Sequence, residues 1–290
     1  MNRFAPTGRA SKRLVRVRRL VHLGLPLVLG LLAVLPNAPA AARQVAGTRT
    51  YSTNFPAAEN PVSESGNWIN GGTTGLDWTD VRTTTGKAFG TQSGNDSNPF
   101  NDSVALLTGS WGNDQVAQAT LYVTSTPASC CVEVELRLRS TITAHSSTGY
   151  EFGCSIASSS PYMGITVWPG ELQPTLNDYP TVAFRGDTGC VDGDVLGATA
   201  VGSTLTFFKN GEAVLSGTDT TFSEGAPGIG FFLHNQTGIM NFLLHNQTGI
   251  NAHYGFINFA ANDLGVLPGA DRQTSVIWPQ VAAAVTRELR

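Results

Sequence analysis

The sequence predicts an all-β domain built as a two-layer sandwich of antiparallel strands, and three observations carry that prediction. Short segments in which apolar and polar residues alternate recur from residue 51 onward; a period of two turns one side of an extended chain toward a core. Turn-forming residues separate these segments, and the 32 glycines of the 290-residue chain supply the positive φ that frequent reversals need. No segment before the C-terminal tail repeats its apolar residues with the period of a helix.

Strands are expected at 51–55, 77–83, 103–108, 115–124, 132–140, 149–156, 164–168, 181–184, 195–201, 204–209, 213–216, 228–233 and 253–259. The clearest stretch is 202–232. Leu205 and Phe207 alternate there with Thr204 and Thr206, and Asn210-Gly211 follows, a pair that accepts positive φ at both centres of a tight hairpin. Ala226-Pro227-Gly228-Ile229 reads as a type II turn, with Pro at the first corner and Gly at the second. Two long polar loops, 93–102 and 169–180, sit where the rim of a sandwich presents ligand-contacting groups. Leu233-His234-Asn235-Gln236-Thr237-Gly238-Ile239 recurs as Leu244-His245-Asn246-Gln247-Thr248-Gly249-Ile250. One repetition is too few for a solenoid, so it reads as a local duplication that lengthens a loop. A short amphipathic helix is expected at 277–289 in the tail, interrupted early by Pro279.

Residues 1–42 read as a signal peptide. They carry seven basic residues and no acid, then the apolar run 20–35, then Ala38-Pro39-Ala40-Ala41-Ala42, which is the basic, apolar and small-residue order of a secretory leader. An uncleaved anchor fits less well, because the run is short for a bilayer span and contains His22, Gly24 and Pro26. The expected location is secreted, extracellular or periplasmic, with no membrane partner after cleavage. Cleavage would take the 18 Lys+Arg to 11 against 21 Asp+Glu, a net charge of −10. So acidic a surface argues against a nucleic-acid partner. In an oxidising compartment the four cysteines read as disulfide formers. Cys154 and Cys190, each at the edge of a strand-like segment, are the expected pair, and adjacent Cys130 and Cys131 stay unassigned. The remaining length suits one large domain, 43–265, with a tail at 266–290.

Several short motifs bear on family. They are Asn54-Phe55, Glu59-Asn60-Pro61-Val62-Ser63 and Gly66-Asn67-Trp68 near the start, then Gly193-Asp194-Val195-Leu196, Lys209-Asn210-Gly211 and Thr218-Asp219. Gly225-Ala226-Pro227-Gly228-Ile229-Gly230 and Tyr254-Gly255-Phe256-Ile257-Asn258-Phe259 complete the set. With these, residues 51–263 resemble the concanavalin A-like, laminin G-like jelly-roll domains of secreted bacterial proteins. The resemblance implies a two-sheet antiparallel jelly roll. It leaves open lectins, carbohydrate-binding modules, glycosidases and polysaccharide lyases, since fold alone does not choose among them.

The chemistry on offer is sparse. In 132–139, VEVELRLR, alternation puts Val132, Val134, Leu136 and Leu138 on the core side and Glu133, Glu135, Arg137 and Arg139 on the other. The resemblance implies that glycosidases carry paired glutamates on such a strand, where retaining hydrolysis needs two carboxyls about 5 Å apart. Here Arg137 interrupts the acids, and the bland reading is a solvated face whose charges pair across strands. Lyase-like chemistry would draw on Glu135 and Arg137 with His145 and Tyr150. The aromatic residues Trp168, Tyr162, Tyr179 and Trp111, at strand ends or beside polar loops, are the candidate ligand contacts, as flat rings on which a sugar stacks. Trp68 and Trp78 are assigned to the core. No cofactor is certain; a structural calcium, held by loop acids such as Asp192 and Asp194, is the metal to consider. The leading expectation is therefore a noncatalytic, lectin-like domain that binds a glycan or cell-surface polysaccharide. The alternatives are a polysaccharide lyase or glycoside hydrolase acting in the concave face, and a structural or adhesive surface protein.

Overall fold

A computed structural model of the chain describes residues 49–93, 101–125, 132–172, 179–233 and 251–263. The leader, Cys130 and Cys131, nearly all of the duplication and the tail lie outside these residues. Two antiparallel sheets face one another. The first contains β1 (Thr50–Thr53), β3 (Val81–Thr84), β4 (Lys87–Gly90), β6 (Gln115–Val123), β11 (Val195–Val201), β12 (Thr204–Lys209), β13 (Glu212–Thr218) and β15 (Tyr254–Asp263). Its order is β13-β12-β11-β6-β15-β4-β3, with β1 also on β15. The second contains β2 (Trp68–Asn70), β5 (Asp102–Leu107), β7 (Val132–Thr143), β8 (Ser146–Ser155), β9 (Met163–Glu171), β10 (Thr181–Arg185) and β14 (Ala226–Leu233), in the order β10-β9-β8-β7-β14-β5-β2. This is the jelly-roll sandwich that the resemblance implies. A single helical turn, α1 (Gly71–Thr74), follows β2.

The alternation read in 132–138 sets the core. Val132, Val134, Leu136 and Leu138 are fully buried between the sheets, where Phe152 of β8 meets Phe207 of β12 edge-on with ring centroids 5.6 Å apart. Asn210 and Gly211 have φ of 52° and 88°, the two positive values of a type I′ hairpin. Pro227 and Gly228 do not turn the chain. They lie within β14, and the reversal is displaced to Gly225, at φ 127°. Proline is tolerated in this central strand because the pairing of β14 with β7 shifts register between Ala226 and Gly228, so its missing N–H falls at a bulge.

Two further departures bear on the site. The strand expected over 77–83 forms only from Val81, because the residues before it fold over the second sheet and bury Leu76 and Trp78 there. Arg139 does not share a face with Glu133, Glu135 and Arg137. The β7–β8 register shifts between Leu138 and Thr141, Arg139 takes a φ of 49°, and its guanidinium turns away. It donates to the carbonyls of Asn113, Phe222, Ala200 and Gly202, tying the first sheet and its loops to the end of β7.

Cys154 and Cys190 form the expected disulfide, which joins β8 to the segment ahead of β11 across 36 positions. It also marks an oxidising compartment. Closing a loop of that length stabilises a fold by about 4 kcal/mol through the unfolded chain. A Cys154→Ala, Cys190→Ala variant should therefore unfold roughly 8–16 °C below the parent in a thermal scan.

Candidate functional site: a carboxyl-lined cavity on the seven-stranded sheet

The face of the second sheet turned away from the core is built in rows across the strands. One row runs Phe184, Gly164, Gly153, Glu135, Gly230, Val104. The row beside it runs Thr181, Thr166, Glu151, Arg137, Gly228, Leu106, and Glu133, Phe232 and Asp102 align on the other side. Glycine inside a strand removes the side chain that would fill the face. Here the vacated space is taken by acids. A Cβ at Gly153 would stand 2.9 Å from Glu133 Oε2 and 3.2 Å from Glu151 Oε1, and one at Gly230 would strike Glu135 Oε2.

The solvated, cross-paired face expected from sequence is thus corrected. Glu135 and Arg137 are 0% and 1% exposed, and Glu133 and Glu151 are also buried. The glycine rows sink these side chains, and Trp78 and Trp168, edge-to-face at 4.6 Å, cover Arg137, whose guanidinium carbon lies 4.9 and 5.4 Å from their ring centroids. Cross-strand pairing does occur, but out of water. Arg137 donates to Glu135 Oε2 through Nε at 3.0 Å and through Nη2, and the same Nη2 lies 2.8 Å from Glu151 Oε2. Trp168 Nε1 also donates to Glu151 Oε2, at 2.6 Å.

One guanidinium faces four buried carboxyls. Burial pushes Glu135 up to about 8 against the pull of Arg137, with Glu151 adding to the rise. Burial also pushes Glu133 and Asp102 well above the carboxylate range, reinforced by the neighbouring acids. Arg137 moves up, because Glu135, Glu151 and Asp102 outweigh the cost of burying its charge. Asp102, Glu133 and Glu135 therefore hold their protons more tightly than free carboxyls do.

Above it lies a cavity of about 240 Å³. Asp102, Glu133 and Glu151 form its acidic side, and Tyr162, Trp168, Tyr179, Phe184 and Phe232 its aromatic side. Tyr162 hydrogen-bonds Glu133 and stacks on Phe184 with centroids 6.0 Å apart. Phe184 is 62% exposed, an open ring at the edge of the cavity.

Of the residues singled out from sequence, the structure brings together Glu133, Glu135, Arg137, Trp168, Tyr162 and Tyr179. It does not bring the others. Trp111 is buried elsewhere, under Arg49 at 4.3 Å. His145 stands in the β7–β8 turn, largely exposed and 2.9 Å from Asp77. Tyr150 points into the core, donates to Asp219 Oδ1 at 2.7 Å and is pushed up to about 12, first by burial. Neither reaches the acids to act as their partner in proton transfer. Trp68 is core, as expected. Trp78 is buried as expected, but on the face of the site. Asp192 and Asp194 accept hydrogen bonds from Val123 N and Val191 N, and Asp194 also from Asn210 Nδ2, so they brace turns. Among the described residues the acids close enough to share a cation are Glu133, Glu135 and Glu151, each with an oxygen within 4.8 Å of the others, and Arg137 already stands among them. Sequence reasoning missed Glu151 and Phe184 as site residues. The available signal was glycine inside strands, at 153, 164, 228 and 230.

No protein-family model matches the chain, and no curated protein matches it. Solved structures are similar at low identity. A carbohydrate binding module, CBM66 from Bacillus subtilis, aligns over 68% of this chain and 92% of its own, with 14% identity and a TM-score of 0.41. The exoplasmic/lumenal domain of VIP36 in its Ca2+/Man3GlcNAc-bound form covers 74% and 93%, with 10% identity and a TM-score of 0.49. A β-agarase A in complex with oligoagarose covers 75% and 94%, with 11% identity and a TM-score of 0.46. The likeness is one of fold, and the functional reading rests on the cavity itself.

Proposed function

We propose that the chain is a secreted glycan-binding domain without catalysis of its own, and that its site is the cavity on the seven-stranded sheet. The observation that carries this reading is the joining, in one cavity, of the rings of Tyr162, Trp168, Tyr179 and Phe184 with the carboxyls of Asp102, Glu133 and Glu151. Rings receive the apolar face of a sugar while acids accept from its hydroxyls. Phe184 stands at the edge, where truncation leaves the buried charges untouched. Calorimetric titration against an oligosaccharide panel tests the reading. Phe184→Ala should weaken the best ligand roughly fivefold to tenfold with an unchanged unfolding temperature, the value of one stacked ring. Equal affinity for parent and variant, or a flat panel, would remove the cavity as the site.

One observation favours a second reading, in which paired carboxyls cleave the glycan. Oxygens of Glu133, Glu135 and Glu151 lie within 4.8 Å of one another, and burial holds the Glu133 carboxyl well above its ordinary range, as a general acid requires. Glu135 is committed to Arg137 and enclosed, which leaves Glu133 and Glu151 as the acids that face the cavity. New reducing ends in the same incubations, lost in Glu133→Gln, would replace binding by hydrolysis.

A further inference from the structure

We propose that the chain beyond β15, residues 264–290, packs back on the outer face of the first, eight-stranded sheet, with the amphipathic helix expected at 277–289 lying along β6 and β15. The inference is independent of the glycan-binding reading. In β6, Ala117, Ala119 and Leu121 are buried in the core, so alternation turns Val116, Gln118 and Tyr122 outward. Strand pairing carries that face across the sheet in rows. Asn262, Val116, Thr199 and Thr206 form one row, and Ala260, Gln118, Gly197 and Phe208 form the next. These side chains point away from the core, yet Val116, Gln118, Thr199 and Ala260 are only 3%, 6%, 5% and 4% exposed. Each described strand belongs to one of the two sheets, and the second sheet lies on the core side. No described strand therefore covers this face.

A second observation points to an occupant with polar groups. Gln118 Oε1, Tyr122 OH and Asn262 Oδ1 are shut off from water and have no hydrogen-bond partner among the described residues, a state that costs stability until a partner meets them. All three stand on β6 and β15, and the chain leaves β15 at Asp263, next to Asn262. Residues 264–290 are thus tethered at the edge of the face they would cover, which holds them there at high effective concentration. Their chemistry fits. Ile277, Val281, Val285 and Leu289 recur every four residues, the apolar stripe of one helix side, while Gln280 and Arg287 fall on the other. Pro279 comes early enough to be tolerated in a first turn. In the connecting stretch Arg272, Gln273, Thr274 and Ser275 bring donors for the unmet oxygens. The lengths agree as well. From Val116 to Tyr122 the strand runs about 20 Å at its usual rise, and a helix over 277–289 is also about 20 Å long.

Hydrogen–deuterium exchange of the full chain tests the docking. An isolated helix of this length is marginal in water, so a free peptide of 264–290 gives the unpacked rate. In the protein the amides of 277–289 should exchange roughly a hundredfold more slowly than in that peptide. Val281→Asp with Val285→Asp should return them to the peptide's rate, while Arg287→Gln, on the polar side of the helix, should keep the protection. Ala260→Gln puts a longer side chain on the sheet face and should also release the tail, with β6 and β15 still protected as the sign that the sandwich is folded. Thr199→Lys carries the same expectation should that variant fail to fold. Peptide-like exchange of 277–289 in the parent overturns the inference. So does protection that survives both face substitutions, which would seat the tail elsewhere. Protection that disappears on dilution, with a dimer in sedimentation, overturns it too, since a second copy would then cover the face.

Discussion

Arg137→Met should lower the unfolding temperature by roughly 10 °C or more, a loss of about 3–5 kcal/mol. The substitution keeps an unbranched chain between Trp78 and Trp168 but removes the charge that Glu135 and Glu151 share; the enclosed Glu135 loses its N–H donors, and Glu151 keeps only the Trp168 Nε1 bond. The loss belongs to the broken set and not to the set's net worth. A well-packed apolar replacement of a buried ion cluster is often as stable as the cluster. Arg137→Met combined with Glu135→Leu and Glu151→Gln should therefore recover most of the loss. Differential scanning calorimetry of the single and triple variants decides the matter. If the single variant loses less than about 1 kcal/mol, the guanidinium does not hold the acids in place.

Stability should also fall as pH rises from 5 to 8.5, opposite to the behaviour of salt-bridged carboxylates. Glu133, Asp102 and Glu135 all take up protons more readily in the fold than in the unfolded chain. Where the folded state binds more protons, raising the pH favours unfolding. The contribution is fully present below about pH 4.3, the ordinary range of a free carboxyl, and is lost as pH climbs through the folded value, about 8 for Glu135. The groups that set it are Asp102 of β5, Glu133 and Arg137 of β7, Glu151 of β8 and the Tyr254 hydroxyl of β15. Asp219 works the other way. Burial opposes its ionisation, but hydrogen bonds from Tyr150 and Thr221 hold it below its usual range, so it costs stability only in stronger acid. Across pH 5 to 8.5 the expected loss is on the order of 2–4 kcal/mol, read as a falling unfolding temperature at constant ionic strength. Glu133→Gln with Asp102→Asn should flatten the profile. An unfolding temperature that rises over this interval would show that the acids are ionised and compensated in the fold.

The sequence made the scaffold legible where local chemistry decides it. Asn210-Gly211 fixes its hairpin through φ alone, and the apolar half of 132–138 finds the core because period two leaves it no other face. Cys154 and Cys190 were legible as a pair by their place at strand edges. Pro227-Gly228 was misread because turn chemistry and a bulged strand use the same residues, and only the partner strands β7 and β5 separate the two. The acidic half of 132–138 was misjudged as solvated for a reason no local window contains. Gly153, Gly164, Gly228 and Gly230 come from three other strands and deepen the face only once those strands align beside β7, and Trp78 arrives from far upstream to cover it. The same distance in sequence hid Glu151 and Phe184, which the register of β8 and β10 brings to the cavity. His145 and Tyr150 looked like partners of Glu135 by proximity in the chain, yet the β7–β8 turn leaves one in solvent and alternation sends the other into the core.

The most direct test of the cavity as the ligand site is a crystal structure of the protein with a bound oligosaccharide. The predicted result is a sugar ring against Trp168, Tyr179 and Phe184, with a hydroxyl within hydrogen-bond distance of Glu133 or Glu151. A sugar bound at another face of the sandwich, with this cavity holding only water, would contradict it.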